Sequence, residues 1–161
     1  MLVDFDSLPD TSRVWVYQSN REFNSAEIKN ISDKLAYFVS NWKRHGDDLK
    51  ASYKIVYSQF VILAVDENYN DVSGCSIDAS VHIIKELEKE FGLDLLNKMN
   101  VSFKDGVNIN TVSLKDFKEY ARLEKINANT VVFNNLVNSK ADFNEAWETQ
   151  AGKSWHAKFL N

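Results

Sequence analysis

The chain reads as an α+β fold whose elements run strand, helix, strand, strand, helix, strand. This is the ferredoxin-like split βαβ arrangement, with a C-terminal helix, strand and aromatic tail added. Three observations predict it. The hydrophobic period switches between helical and alternating spacing along the first hundred residues. The length of 161 residues and an apolar fraction of 44% suit one packed core. Finally, one proline, five isolated glycines and no low-complexity tract leave no place for a linker, so residues 1–161 read as a single globular domain.

The elements follow in order. Val14-Trp15-Val16-Tyr17 is a short β-prone apolar run and predicts a buried strand. Asn24-Ser25-Ala26-Glu27 has capping-box spacing, and Ile28, Ile31, Leu35, Val39 and Trp42 then form one helical stripe that Gly46 is placed to stop. From Ala51 the residues alternate through Tyr57, and Ser58-Gln59 leads into the continuous apolar run Phe60 to Val65. The pair predicts a hairpin whose second strand is the more deeply buried. A polar loop, Asp66 to Asp71, and Ser73-Gly74-Cys75-Ser76 precede the best helix, with stripe Ile77, Val81, Ile84, Leu87 and Phe91 and a C-cap at Gly92. Leu93 to Met99 reads as a further turn or short helix. Val101 to Phe103 resumes β character, Asp105-Gly106 signals a turn, and Val107 to Val112 reads as another strand. Ser113-Leu114-Lys115-Asp116 opens a third helix reaching about Leu123, and Thr130 to Phe133 is the last strand. Phe143, Trp147, Trp155 and Phe159 make the tail aromatic, and such residues predict packing onto the domain.

Composition excludes several functions. A net charge of −4 gives no electrostatic footprint for nucleic acid. The only basic cluster, Lys43-Arg44-His45, is followed at once by Asp47 and Asp48. A single cysteine rules out an internal disulfide and an all-cysteine metal site, and fits a reducing, cytoplasmic setting. The acidic N-terminus lacks a basic start and apolar run of the signal-peptide kind, and no stretch is long enough to span a bilayer, so no membrane insertion is expected. Neither GxxxxGK[ST] nor GxGxxG occurs, and HExxH, CxxC and GxSxG are also missing, so neither P-loop ATP hydrolysis nor any sharply marked enzyme class is expected. No cofactor is implied.

The segment Asp66 to Asp78 is where a site is expected. Cys75 opens a helix, where free amides favour a thiolate, and is a conceivable nucleophile; the structural alternative is a small thiol packed at the helix start. His82, two turns further on, is too distant to be its base, which leaves His156 from the tail. Asp66, Glu67, Asp71 and Asp78 are oxygen ligands in type, but the glycine and final glutamate of an EF-hand are missing and no metal site is assigned. Asp78 is equally a first-turn carboxylate favoured by the helix dipole. Asp66, Glu67, Ser73, Gly74, Ser76 and Trp155 are the candidate binding residues, and Cys75, Asp78 and His156 the candidate catalytic ones. This loop is expected to meet Trp155-His156 and form the principal pocket. The leading expectation is a non-enzymatic module that binds a protein or a small molecule, with homo-oligomerisation left open. The alternative is a small enzyme using Cys75.

Five segments, Ser12 to Gln18, Leu63 to Asn68, Ser73 to Asp78, Val132 to Val137 and Ser154 to Ala157, together resemble a small Bacteroidota family of about this length. Its members are often labelled "ABC transporter ATPase". That label implies a phosphate-binding loop, which this chain lacks, and Ser73-Gly74-Cys75-Ser76 is only superficially similar to an ABC signature loop. Locally, Gly74-Cys75-Ser76-Ile77-Asp78-Ala79-Ser80 after a strand pair resembles the iron–sulfur scaffold proteins, which use several cysteines where this chain has one.

Overall fold

The computed structural model describes residues 1–161 and contains three antiparallel sheets and four α-helices. The first sheet consists of β1 (Arg13–Gln18), β4 (Ala51–Val56) and β5 (Phe60–Val65) in the order β1-β5-β4. Since β1 and β4 both run antiparallel to β5, they are parallel to each other, and α1 (Ser25–Ser40) makes the crossover between them.

Both long helices form where the caps predict. Asn24 Oδ1 accepts from the Glu27 N–H at 2.8 Å while Glu27 Oε1 accepts from the Asn24 N–H at 3.0 Å, closing the capping box of α1. Ser73 caps α2 (Gly74–Phe91), which ends where Gly92 turns left-handed at φ 62°. The first helix stops earlier than its apolar stripe suggests. After Ser40 the chain makes a small hairpin, β2 (Lys43–Arg44) with β3 (Asp47–Asp48), whose turn uses His45 at φ 49° and Gly46 at φ 86°. Gly46 therefore serves that turn rather than the helix end. Trp42 stays buried and donates its Nε1–H to Ser76 O at 2.9 Å, fastening this hairpin region to the start of α2.

β5 is the centre of the packing, with all six residues buried. Val61, Leu63 and Val65 face α1 and α2, where they meet Ile31, Leu35, Ile84 and Leu87. Phe60, Ile62 and Ala64 face the opposite way and pack with Phe5, Phe133, Phe143 and Trp147. A strand covered on both sides needs a continuous apolar run, which is what Phe60 to Val65 supplies.

The predicted strand order fails at its fourth member. β6 (Asn100–Asp105) does not join β1 but enters a second sheet, in the order β7-β6-β8-β9, with β7 (Asn108–Ser113), β8 (Val131–Phe133) and β9 (Glu148–Gln150). The β6–β7 ladder is complete over all six residues of each strand, so this local hairpin takes up one edge of β6 and β8 takes the other. α3 (Leu114–Arg122) packs beside this sheet around Phe117, Ile126 and Val132. Of the turn or short helix expected over Leu93 to Met99, the structure has a turn, at Lys98 and Met99, in an otherwise irregular connection pinned where Glu88 Oε2 accepts from the Leu95 and Leu96 N–H groups.

The β4–β5 turn is one residue longer than the Ser58-Gln59 pair that the sequence suggests. It begins at Tyr57, with Tyr57 at φ 53° and Ser58 at φ 51°, positions that cost non-glycine residues on the order of 1–3 kcal/mol each. Tertiary contacts hold it: the Tyr57 ring packs edge-on to Phe133 and stacks on Trp147, while its hydroxyl donates to Glu148 and accepts from Lys104. The tail packs as its aromatic content predicts, but through elements its sequence does not announce. A seven-residue helix, α4 (Lys140–Ala146), buries Phe143, and Trp147 follows it into the second core. Lys140 is buried as well, and its Nζ donates to Leu8 O at 2.7 Å and Asp6 O at 3.1 Å, tying the tail to the N-terminal 3-10 turn.

Candidate functional site

The loop after β5 is a structural corner. Asp66 is buried at the strand end, its carboxylate accepting from the Asn68 N–H at 3.0 Å and its carbonyl from Tyr69 and Asn70. That is turn formation by an Asx residue. Glu67 is half-buried and makes no hydrogen bond or ion pair, and Asp71 lies 3.8 Å from Arg44. Ser73 and Ser76 build the helix start: Ser73 Oγ accepts from the Ser76 N–H at 3.1 Å, and the Ser76 hydroxyl donates to Lys43 O at 2.9 Å. Gly74 and Cys75 are exposed in this first turn, whereas Asp78, expected as a first-turn carboxylate, is exposed beyond it because α2 already starts at Gly74. An exposed Cys75 corrects the expectation of a packed thiol, and His156, the base the sequence left for it, is buried in another core. No grouping of three His, Cys, Asp or Glu side chains capable of holding a metal ion is present.

Trp155 and His156 lie elsewhere. They belong to a 3-10 turn, Trp155–Phe159, and the Trp155 and His156 rings stack with centroids 3.7 Å apart. His156 is fully buried against Phe117 in the third core, and burial pushes its pKa down to about 4. Its Nδ1 lies 2.5 Å from Ser154 Oγ, which also lies 3.3 Å from Ala151 O. A neutral ring donating Nδ1–H to Ser154, with Ser154 donating onward to the carbonyl, satisfies that chain and leaves only Nε2 without a partner. The imidazole is thus a core group, out of reach of any nucleophile. The expected meeting of Asp66 to Asp78 with Trp155-His156 does not occur in a cavity: none of the larger depressions is lined by residues 66–78.

Trp155 instead faces a cleft of about 460 Å³ that runs along the edge of β1 not paired with β5. Arg13 to Gln18 form its floor. Val81, Leu95 and Leu96 with Asn97, Lys98 and Asn100 make one wall, and Asn135 to Asn138 make the other. Its volume and mainly apolar lining, with a few carboxamides, match the usual make-up of a ligand pocket. A larger depression of about 610 Å³ beside the β6–β7 turn is more open and more polar.

A hydrogen-bonded relay fixes the far end of the cleft. Trp147 Nε1 donates to Asn135 Oδ1 at 2.9 Å, Asn135 Nδ2 to Gln18 Oε1 at 3.0 Å, and Gln18 Nε2 to Asn100 O at 3.1 Å. Amides connected in this way hold one geometry. Arg13, at the other end, lies 4.9 Å over the Trp15 ring and forms no ion pair. Burial raises the pKa of Tyr17, with the Ser80 hydroxyl beside it acting in the opposite direction. Of the residues lining the cleft, only Trp155 stands out as a site residue from sequence. The cleft has no motif, because three segments distant in the chain build it.

Comparison with known protein families, curated proteins and solved structures finds no match. No helix is long and apolar enough to cross a membrane.

Proposed function

We propose that this protein is a cytoplasmic, non-enzymatic binding module whose ligand site is the cleft along the open edge of β1. The observation that carries the reading is the cleft itself: an apolar slot with amide groups at one end, beside a strand edge that the second sheet leaves uncovered. We read the fold as a ferredoxin-like split βαβ unit whose fourth strand has been diverted to a neighbouring sheet, which vacates the position beside β1 for a ligand. The binding reading is favoured over catalysis because no nucleophile and base lie together, Cys75 being exposed at one helix start and His156 buried in another core. Membership of the Bacteroidota family is part of this proposal, and the ATPase label is not. Without a phosphate-binding loop, a calorimetric titration with Mg-ATP should give no saturable heat.

The cleft reading is tested with 1-anilinonaphthalene-8-sulfonate, an apolar fluorescent anion. Saturable fluorescence enhancement is expected for the wild type, with loss of most of it on Leu136→Arg, a change at an exposed wall residue that leaves the cores intact. Equal enhancement by both proteins would refute the reading.

A further inference from the structure

We propose that the occupant of the cleft is an extended peptide that adds to β1 as a strand and carries an acidic group, an inference that rests on the cleft being a binding site. The backbone gives the first reason. Val14 donates its N–H away from β5, to Asn138 O at 3.1 Å, and Lys140 donates to Ser12 O at 2.8 Å, so the 138–140 segment covers only the beginning of this edge. In an antiparallel ladder the direction of the N–H and C=O groups alternates, so Val16 faces the same way as Val14. No hydrogen bond outside the regular ladders reaches Val16, which lies in the cleft floor. Its N–H and C=O are the pair that an incoming strand would use, the mode of recognition known as β-augmentation.

The shape gives the second reason. Trp15 and Tyr17 project to the helix side of the sheet and Val14 and Val16 to the other, and the cleft has a wall on each side, with Leu95 and Leu96 on the first and Val137 on the second. A slot that straddles the plane of the sheet accepts a chain whose successive side chains point to opposite faces. A compact ligand would use one wall only.

Charge gives the third reason. Arg13 and Lys98 line the cleft, no carboxylate does, and neither cation is engaged in an ion pair. A peptide with an aspartate, a glutamate or its own C-terminal carboxylate near one end complements this rim, whereas a basic peptide meets two unpaired like charges.

The test uses a library of acetylated, amidated hexapeptides of alternating apolar and polar residues with one terminal glutamate, screened against ¹⁵N-labelled full-length protein. Binders should shift the Val16 amide resonance downfield, lose about tenfold in affinity when the central residue that pairs with Val16 is N-methylated, and weaken when the glutamate becomes lysine. Arg13→Gln with Lys98→Gln should abolish the glutamate preference while leaving backbone-dependent binding. If 1-anilinonaphthalene-8-sulfonate binds at the cleft but no hexapeptide does, or if N-methylation changes nothing, the peptide inference falls and the binding cleft stands. If neither probe binds, both fall.

Discussion

Between pH 7 and 5, acidification should destabilise this protein through His156. The imidazole is fully buried, and its pKa is pushed down to about 4 by burial, against 6.5 for the free side chain. The unfolded chain therefore binds a proton between those values that the folded chain refuses. The resulting stability is fully present above pH 6.5 and is lost as the pH falls towards 4. At about 1.4 kcal/mol per pH unit the full effect is about 3 kcal/mol, of which about 2 kcal/mol is gone at pH 5. For a chain of this length, that loss lowers Tm by roughly 4–8 °C. His156→Phe keeps an aromatic ring against Trp155 and Phe117 but has nothing to protonate. Urea denaturation of both proteins at pH 7, 6 and 5 measures the difference, and subtracting one from the other removes the contribution of all remaining groups. A wild type and variant that lose stability in parallel between pH 7 and 5 would show that the folded chain protonates His156 as readily as the unfolded chain does, and would refute the placement of a ring held neutral by burial.

Three further predictions concern other parts of the molecule. Trp147→Ala should cost about 3–5 kcal/mol in denaturant titrations, because the ring packs against Phe60, Phe133 and Phe143 and its Nε1–H holds Asn135; a loss below about 1 kcal/mol would place the tail outside the core. The Arg21 guanidinium, followed by the Asn24 N–H, holds the Glu27 carboxyl down to about 2, below its ordinary 4.5. This contribution is present above pH 4.5 and lost as the pH falls through 2, so Glu27→Gln should lower the stability above pH 4.5 and flatten the profile in that window, with the slope elsewhere unchanged; a variant that keeps the wild-type loss of stability below pH 4.5 would refute this. Cys75 should react stoichiometrically with Ellman's reagent in the folded protein, since it is exposed; a thiol that reacts only after unfolding would contradict its position on α2.

Local signals in the sequence were sufficient for the long elements and insufficient for their partners. The box at Asn24 and Glu27, the stop at Gly92 and the unbroken run Phe60 to Val65 each state their structure within a few residues, and the architecture honours all three. The choice of β6 between β1 and β7 is not recorded in Val101 to Phe103 themselves; the strand pairs with β7, its neighbour along the chain. The turn at Tyr57 and Ser58 was illegible because its left-handed backbone is imposed by Phe133, Trp147 and Glu148, far away in sequence. Short α4 has a capping Ser139 but too few turns to show a period. The expected meeting of Asp66 to Asp78 with Trp155-His156 is likewise a non-local matter, and the structure does not bring them into one cavity. Ser73, Ser76 and Asp66 are polar residues where function often collects, but here they satisfy backbone groups, and Trp155 was singled out with the wrong neighbours in view.

The double burial of β5 determines how the protein can come apart. Alternate residues of one six-residue strand belong to two different cores, so neither core can open while the strand stays in place, and neither survives once it leaves. Amide protons on β5 should therefore exchange with solvent only through global unfolding, at a rate set by the full stability. The third core, around Phe117, Ile126 and Val132, draws no residue from β5. α3, which buries Phe117 and Ala121, should therefore exchange faster than β5, whereas β8 is held with the second core by Phe133.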